Sequence, residues 1–224
     1  MSFYNTLLSE TEEDRLYLLR APIIEDVFAG RFGLGTYLAF LHQAYHHVRH
    51  TAPLLEAARS RLSERQQWVF AALTEYIAEE AGHEAWILND IAACGENAET
   101  WAERPPGFAT EMMVAFLYDF IARQNPMGIF GMVLVLEGTS SNLAPTVANI
   151  VQGHLNLPGE AMSYLVTHGE LDQEHMNHFE AIMDRVTAKE DQEAIVHVAR
   201  RVYRLYGDVY RALPSGTDVL AEAA

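Results

Sequence analysis

His168-Gly169-Glu170-Leu171-Asp172-Gln173-Glu174-His175 is a polar stretch set inside what is otherwise the buried face of a helix. From Gly159 to Val186, positions 161, 165, 168, 172, 175, 179, 182 and 186 step alternately by four and three, the seam of a core-facing helix. Ala161, Leu165, Phe179, Ile182 and Val186 are apolar, but His168, Asp172 and His175 interrupt the seam for two turns. Imidazole and carboxylate groups facing a core must be hydrogen-bonded, paired or bound to a metal. His-x3-Asp-x2-His in register with an apolar seam therefore predicts a metal site if other helices offer matching ligands. The alternatives are a polar network between helices or a stripe turned to solvent.

Two other stretches repeat the pattern. Ser63-x-x-Gln66 is a capping-box start, and a helix is expected from there to about Ala93, stopping at Gly95. Its seam runs through Val69, Leu73, Tyr76, Glu80, His83 and Ile87 and turns polar at Glu80 and His83. Glu-x-x-His at i, i+3 projects from one helix face and is the arrangement used by carboxylate-bridged metal sites in bundles. Glu79 and Glu84 are adjacent alternatives, and spacing does not exclude Glu79. Further on, Met127 to Leu136 is apolar on every face and reads as a fully buried helix. The helix is expected to end at Leu136-Glu137-Gly138, where Glu137 continues the stripe of Phe130 and Val133. A carboxylate there is either buried and bound or lifted to the surface.

The rest of the chain also reads as helix. Amphipathic stretches cover Phe3 to Leu19 and Pro22 to Val27, and a long helix is expected from Thr36 to about Arg61. Residues 96 to 109 read as a loop, followed by a helix from Thr110 to Arg123 and a segment from Pro145 to Leu157. Thr187-x-x-Glu190 is a second capping box, opening a last helix through about Leu213, with a frayed tail over 214–224. The expected fold class is all-α, seven or eight helices in a single domain over 1–224 with its core at about 36–212. His42, His46 and His50 share one face of the third helix and form a rival metal site. No carboxylate accompanies them before Glu56, which favours a pocket wall or a solvated face.

Composition bounds the function. A formal charge of −16 repels nucleic-acid backbones and anionic membranes, and no basic stripe offsets it. A hydrophobic fraction of 50% with 21% charged residues suits a soluble globular protein. The apolar run from Ile129 to Leu136 is too short to span a bilayer, and the first residues do not form a secretory signal. Cys94 is the single cysteine, which excludes a disulfide framework or a cysteine-rich metal site and is consistent with a cytoplasmic location.

Together the interruptions are Glu80, His83, Glu137, His168, Asp172 and His175, three carboxylates and three imidazoles on three helices. Donors of this kind without thiolate suit iron or manganese, with zinc a further option. Six ligands exceed what one catalytic zinc uses and are enough for two metals sharing a carboxylate. The pattern resembles the haem-oxygenase-like diiron oxidases, within the wider group that includes thiaminase II and the pyrroloquinoline-quinone synthesis protein C. The resemblance covers about Thr36 to Tyr210. In that family a glutamate and a histidine lie on the first core helix, a glutamate on the second, and His-x3-Asp/Glu-x2-His on the third. Some members carry the first glutamate seven residues before the histidine, where this chain has Tyr76. Others, of the alkene-forming type, carry it three before, at the place of Glu80.

The resemblance implies a haem-oxygenase-like fold, two irons per chain or partial occupancy, and an oxidase that uses dioxygen on a small amino-acid-like or fatty-acid-like substrate. It also implies a homodimer. By analogy Tyr45, His46, His50, Tyr76 and Arg123 flank the substrate pocket, with Arg49 or Arg123 available to hold a carboxylate. The competing readings are a metal-free oxidase resembling the quinone-synthesis protein and a non-enzymatic ligand-binding protein of the same fold. A thiaminase-like hydrolase needs an activated cysteine, and Cys94 lies at a helix C-terminus, where the dipole disfavours thiolate.

Overall fold

The computed structural model describes residues 2–215, without the side chains of residues 170–174. The expected tail therefore lies outside the described residues from position 216 onward. The fold is all-α as expected, but eleven α-helices are present among the described residues, because two expected long helices are divided and one expected loop is helical.

Helices α1 (Phe3–Leu19) and α2 (Pro22–Phe28) follow the expected pattern, with Ser2 capping the first and Pro22 opening the second. The helix expected from Thr36 to Arg61 is instead α3 (Leu34–Val48) and α4 (Thr51–Ser60). Pro53 explains the division, since its ring would clash with the carbonyl four residues back, at Arg49. The Ser63 capping box forms, but it opens a 3-10 turn over Glu64–Val69 that leads into α5 (Phe70–Glu80). The expected continuous helix then breaks at Ala81, which is extended, and Gly82, whose φ of +91° is left-handed and favours glycine. Helix α6 (Glu84–Ala93) restarts with His83 at its N-cap.

Inside the expected loop lies α7 (Ala98–Glu103), capped by Asn97, which accepts from the Thr100 N–H at 2.9 Å. After α8 (Phe108–Arg123), α9 runs unbroken from Ile129 to Leu155. The expected end near Glu137 does not occur, although Pro145 lies within the helix. An interior proline costs about 3 kcal/mol. Burial along α9 offsets it, for α10 (Ser163–Met183) and α11 (Lys189–Arg211) both pack along its length. Gly131 lets α9 and α11 approach closely, since a Cβ there would sit 2.5 Å from the Ile195 carbonyl oxygen. The stretch 126–155 is long and apolar enough to cross a membrane, and 67% of its most apolar window is buried inside the fold.

Two helix starts are held by neighbouring elements. The Asp90 carboxylate on α6 accepts the N–H groups of Ser163 and Tyr164 at 3.0 Å each, capping α10 from outside. The Thr187 capping box does not form, and Ala188 stands at the N-cap of α11 without a side-chain bond. Buried Asp191 anchors that end instead, accepting from Arg65, from Gln66 at 2.8 Å and from Asn125 at 2.7 Å.

The apolar interior falls into two principal clusters. One gathers Leu54, Leu73, Phe130, Val133, Phe179 and Val202, and the other Leu38, Leu41, Ile87, Ala148, Val151 and Leu165. Along α5 and α6, along α9 and along α10, the chain passes from one cluster to the other. At each crossing the buried residues turn polar: Glu80 and His83, then Glu137 and Thr139, then His168 and His175.

Candidate metal centre

The crossings meet in space. Glu80 Oε2 lies 3.3 Å from His83 Nδ1 and 3.7 Å from His168 Nε2, and the two imidazole nitrogens are 3.3 Å apart. On the other side, His175 Nδ1 lies 3.8 Å from Glu137 Oε1. Ligand atoms of Glu80, His83 and His168 fall within 4.8 Å of one another, and so do those of Glu80, Glu137 and His175. Glu80 belongs to both groups. All five residues are at most 9% exposed. Asp172 lies within α10 between His168 and His175, with its side chain outside the described residues.

The break between Glu80 and His83 does not separate their side chains, although they no longer share one regular helix face. His83 is further fixed by the Trp86 ring, stacked on it at 4.0 Å and 23°. Glu79, left open as a ligand by spacing, sits on the outer side of the group. Its carboxylate is half exposed and lies 3.1 Å from His175 Nε2, the ring nitrogen opposite the one facing Glu137. Accepting the Nε2 proton leaves the Nδ1 lone pair directed inward, the usual arrangement for a metal-ligating histidine.

The donor set fits a transition metal. Oxygen and imidazole donors converge without a lysine or arginine among them, and Glu80 Oε1 is buried with no hydrogen-bond partner among the described residues. A buried carboxylate oxygen is costly to leave unpaired, and a cation shared by the two triads relieves that cost.

The residues expected to flank a pocket are placed differently. His46 and His50 face α7 and α8, where His46 donates to the Arg104 carbonyl at 2.8 Å and His50 Nδ1 lies 3.2 Å from the Tyr118 hydroxyl. Tyr45 lies under the Arg49 guanidinium, and Arg123 is exposed and paired with Asp119 at 2.7 Å. None of these four lines a cavity that adjoins the centre, whereas Tyr76 lines one together with Glu79 and His175. Tyr76 is buried beside the His175 ring, and its hydroxyl donates to the His175 carbonyl at 3.5 Å. The α3 face turned to the cavities carries Thr36, Tyr37, Phe40 and His47, a stripe rotated from the one chosen on histidine spacing.

The rival histidine site is closed by its own hydrogen bonds. Gln43 Oε1 accepts from the Gly107 N–H at 2.9 Å and the Thr110 hydroxyl at 2.6 Å, so its amide nitrogen donates to His42 Nδ1 at 3.0 Å. His42 then carries its proton on Nε2, the atom nearest His46, and offers no lone pair there. His47 was missed because nothing in the spacing separates it from its histidine neighbours. It is buried, lines the cavity with Glu80, Glu137 and His168, and its Nδ1 has no partner among the described residues. Burial, reinforced by His168, pushes its pKa down to about 3, so the ring is neutral at physiological pH. Cys94 is no nucleophile, because burial, then Asp90 and Glu96, push its thiol up to about 11.

Residues 38–207 match the model of a protein family described as iron-containing redox enzymes. No curated protein matches the sequence. Among solved structures, a domain of unknown function with a haem oxygenase-like fold from Shewanella denitrificans aligns with a TM-score of 0.81 at 23% identity, covering 94% of this chain and 90% of that one. A TenA homologue from Pseudomonas syringae gives 0.75 at 10% identity, over 93% and 91%. The haem oxygenase from Leptospira interrogans gives 0.71 at 15% identity, over 94% and 99%. These similarities establish the haem-oxygenase-like fold.

Proposed function

The chain belongs to the family of iron-containing redox enzymes, and from that premise we propose that it is a non-haem diiron oxidase that uses dioxygen on a small organic substrate. The observation that carries this reading is Glu80, common to two buried triads of imidazole and carboxylate donors. One ion would be held by Glu80, His83 and His168, the other by Glu80, Glu137 and His175, with Asp172 in sequence register to join them. Ferrous ions bound there supply the electrons that reduce dioxygen.

The chain's own groups do the rest. Apolar side chains from both clusters surround the centre and exclude water, which strengthens every electrostatic interaction inside it. Glu79 holds the His175 ring and gives a proton-bearing route from the half-exposed carboxylate to the buried imidazole. The larger adjoining cavity is lined mainly by apolar residues and, among the described residues, by no Asp or Glu to meet an ammonium group, which favours the fatty-acid-like substrate class over the amino-acid-like one.

The test is to add ferrous iron anaerobically to metal-free protein, count bound iron and then follow dioxygen consumption, with His168→Ala alongside. Two irons per wild-type chain and fewer than two in the variant, with slower oxygen consumption, are expected. Absence of iron uptake by the wild type overturns the reading.

A further inference from the structure

Two cavities meet beside the ligand set. The smaller, about 30 Å³, is walled by His47, Glu80, Glu137 and His168 together with apolar residues of α9. The larger, about 90 Å³, lies between α2, α3, α9, α10 and α11, with Phe32, Phe40, Val147 and Leu165 among its walls. Ser140, Tyr164, His168 and Tyr206 line both, so the two cavities adjoin, one polar on the side of the ligand set and the other mainly apolar. On the wall of the smaller cavity stands His47, 6% exposed and edge-on to the Tyr206 ring at 5.4 Å. Its Nδ1, without a partner among the described residues, is a buried polar atom, costly to leave without a hydrogen bond, on the wall of that cavity.

Resting on the reading that iron occupies the ligand set, we propose that His47 positions the oxygen-bearing end of the substrate, a hydroxyl or carboxyl group, while an unbranched apolar chain fills the larger cavity. The walls argue against a free amino acid. Among the described residues the only acidic groups lining either cavity are Glu80 and Glu137, which belong to the ligand set, so no further carboxylate is there to meet an ammonium group. A single imidazole beside a long apolar lining matches one small polar head on an apolar body. Each methylene transferred to that lining strengthens binding about fourfold.

The probes are two homologous series, straight-chain 1-alkanols and alkanoic acids of eight to fourteen carbons, with free lysine as a third arm. Their affinity for zinc-loaded protein, which lacks redox chemistry, is measured calorimetrically. Affinity in at least one series is expected to rise about fourfold per methylene and then level off where the cavity is full. His47→Phe is expected to weaken that series about tenfold without changing its slope, and His47→Gln to restore part of the loss. The series weakened identifies the head group as hydroxyl or carboxyl. Val147→Trp is expected to move the levelling-off to a shorter chain, a readout independent of any folding defect at His47. Equal affinity in wild type and His47→Phe, no dependence on chain length, or tighter binding of lysine than of either series overturns the proposal. Iron counts on wild type and His47→Phe separate the two failures. Unchanged counts with unchanged affinity sink only the His47 assignment, whereas absent iron sinks the diiron reading. The chain-length series, repeated on metal-free protein, still tests the cavity in that case.

Discussion

His175 is the clearest case of one side chain doing two things with two ring nitrogens. Nδ1 faces Glu137 and the ligand set, while Nε2 faces Glu79 at 3.1 Å. If Glu79 sets the tautomer and is not itself a ligand, Glu79→Ala lowers iron affinity about tenfold, the scale typical of outer partners to metal-bound histidine. Glu79→Gln retains an acceptor oxygen and recovers most of that affinity. Iron titration of both variants with a competing chelator checks this, and loss of one whole iron per chain in Glu79→Gln would instead make Glu79 a ligand. Spacing alone left Glu79 and Glu80 as alternatives because adjacent residues at a helix end both border the seam. The difference lies in burial, with Glu80 inside and Glu79 at the rim.

Among the elements, polar interruption of the apolar seams was readable wherever burial was regular, and the breaks were less so. The seam positions from Val69 to Ile87 are all buried, as are Ala161, Leu165, His168, His175, Phe179 and Val186 on the later seam, while Ile182 is half-buried and the Asp172 side chain lies outside the described residues. The chain break at Ala81-Gly82 was not legible, since one glycine inside an apolar periodic run is compatible with a continuing helix. The unbroken α9 was hidden for the opposite reason. Gly138, Thr139, Ser140 and Pro145 all read locally as a stop, and only packing against α10 and α11 overrides them. On α3, histidines occupy two faces, so spacing selected the stripe turned to α7 and α8 and passed over His47.

The start of α11 gives a pH prediction. Burial alone would raise the Asp191 pKa, but hydrogen bonds from Arg65, Asn125 and Gln66 outweigh it and hold the carboxyl below the usual carboxylate range. The unfolded chain therefore binds this proton at a higher pH than the fold does. The stabilisation is fully present above the unfolded value of about 3.9 and is lost as pH falls through the lower folded value. Denaturant midpoints for wild type and Asp191→Asn are expected to differ at pH 7 and to converge as the pH falls below 4.

At the scale of the molecule, the fold class and the three stretches that carry the buried polar groups were legible because buried carboxylates and imidazoles violate apolar periodicity where it is strongest. Helix number and the cavity walls were not, because they depend on which faces meet. The two apolar clusters join through the very level at which α5–α6, α9 and α10 carry their polar groups. At that level buried polar groups stand between the apolar clusters of the two halves. Without a cation, Glu80 Oε1, buried with no hydrogen-bond partner among the described residues, weakens the joint further. The consequence is thermodynamic cooperativity supplied by the metal: the loaded protein should melt in one heat-absorption peak with equal calorimetric and van't Hoff enthalpies. The metal-free protein should melt in two steps, one for each cluster. Scanning calorimetry of both forms decides the matter, and a single two-state peak in each would mean that the clusters are already welded without the ions.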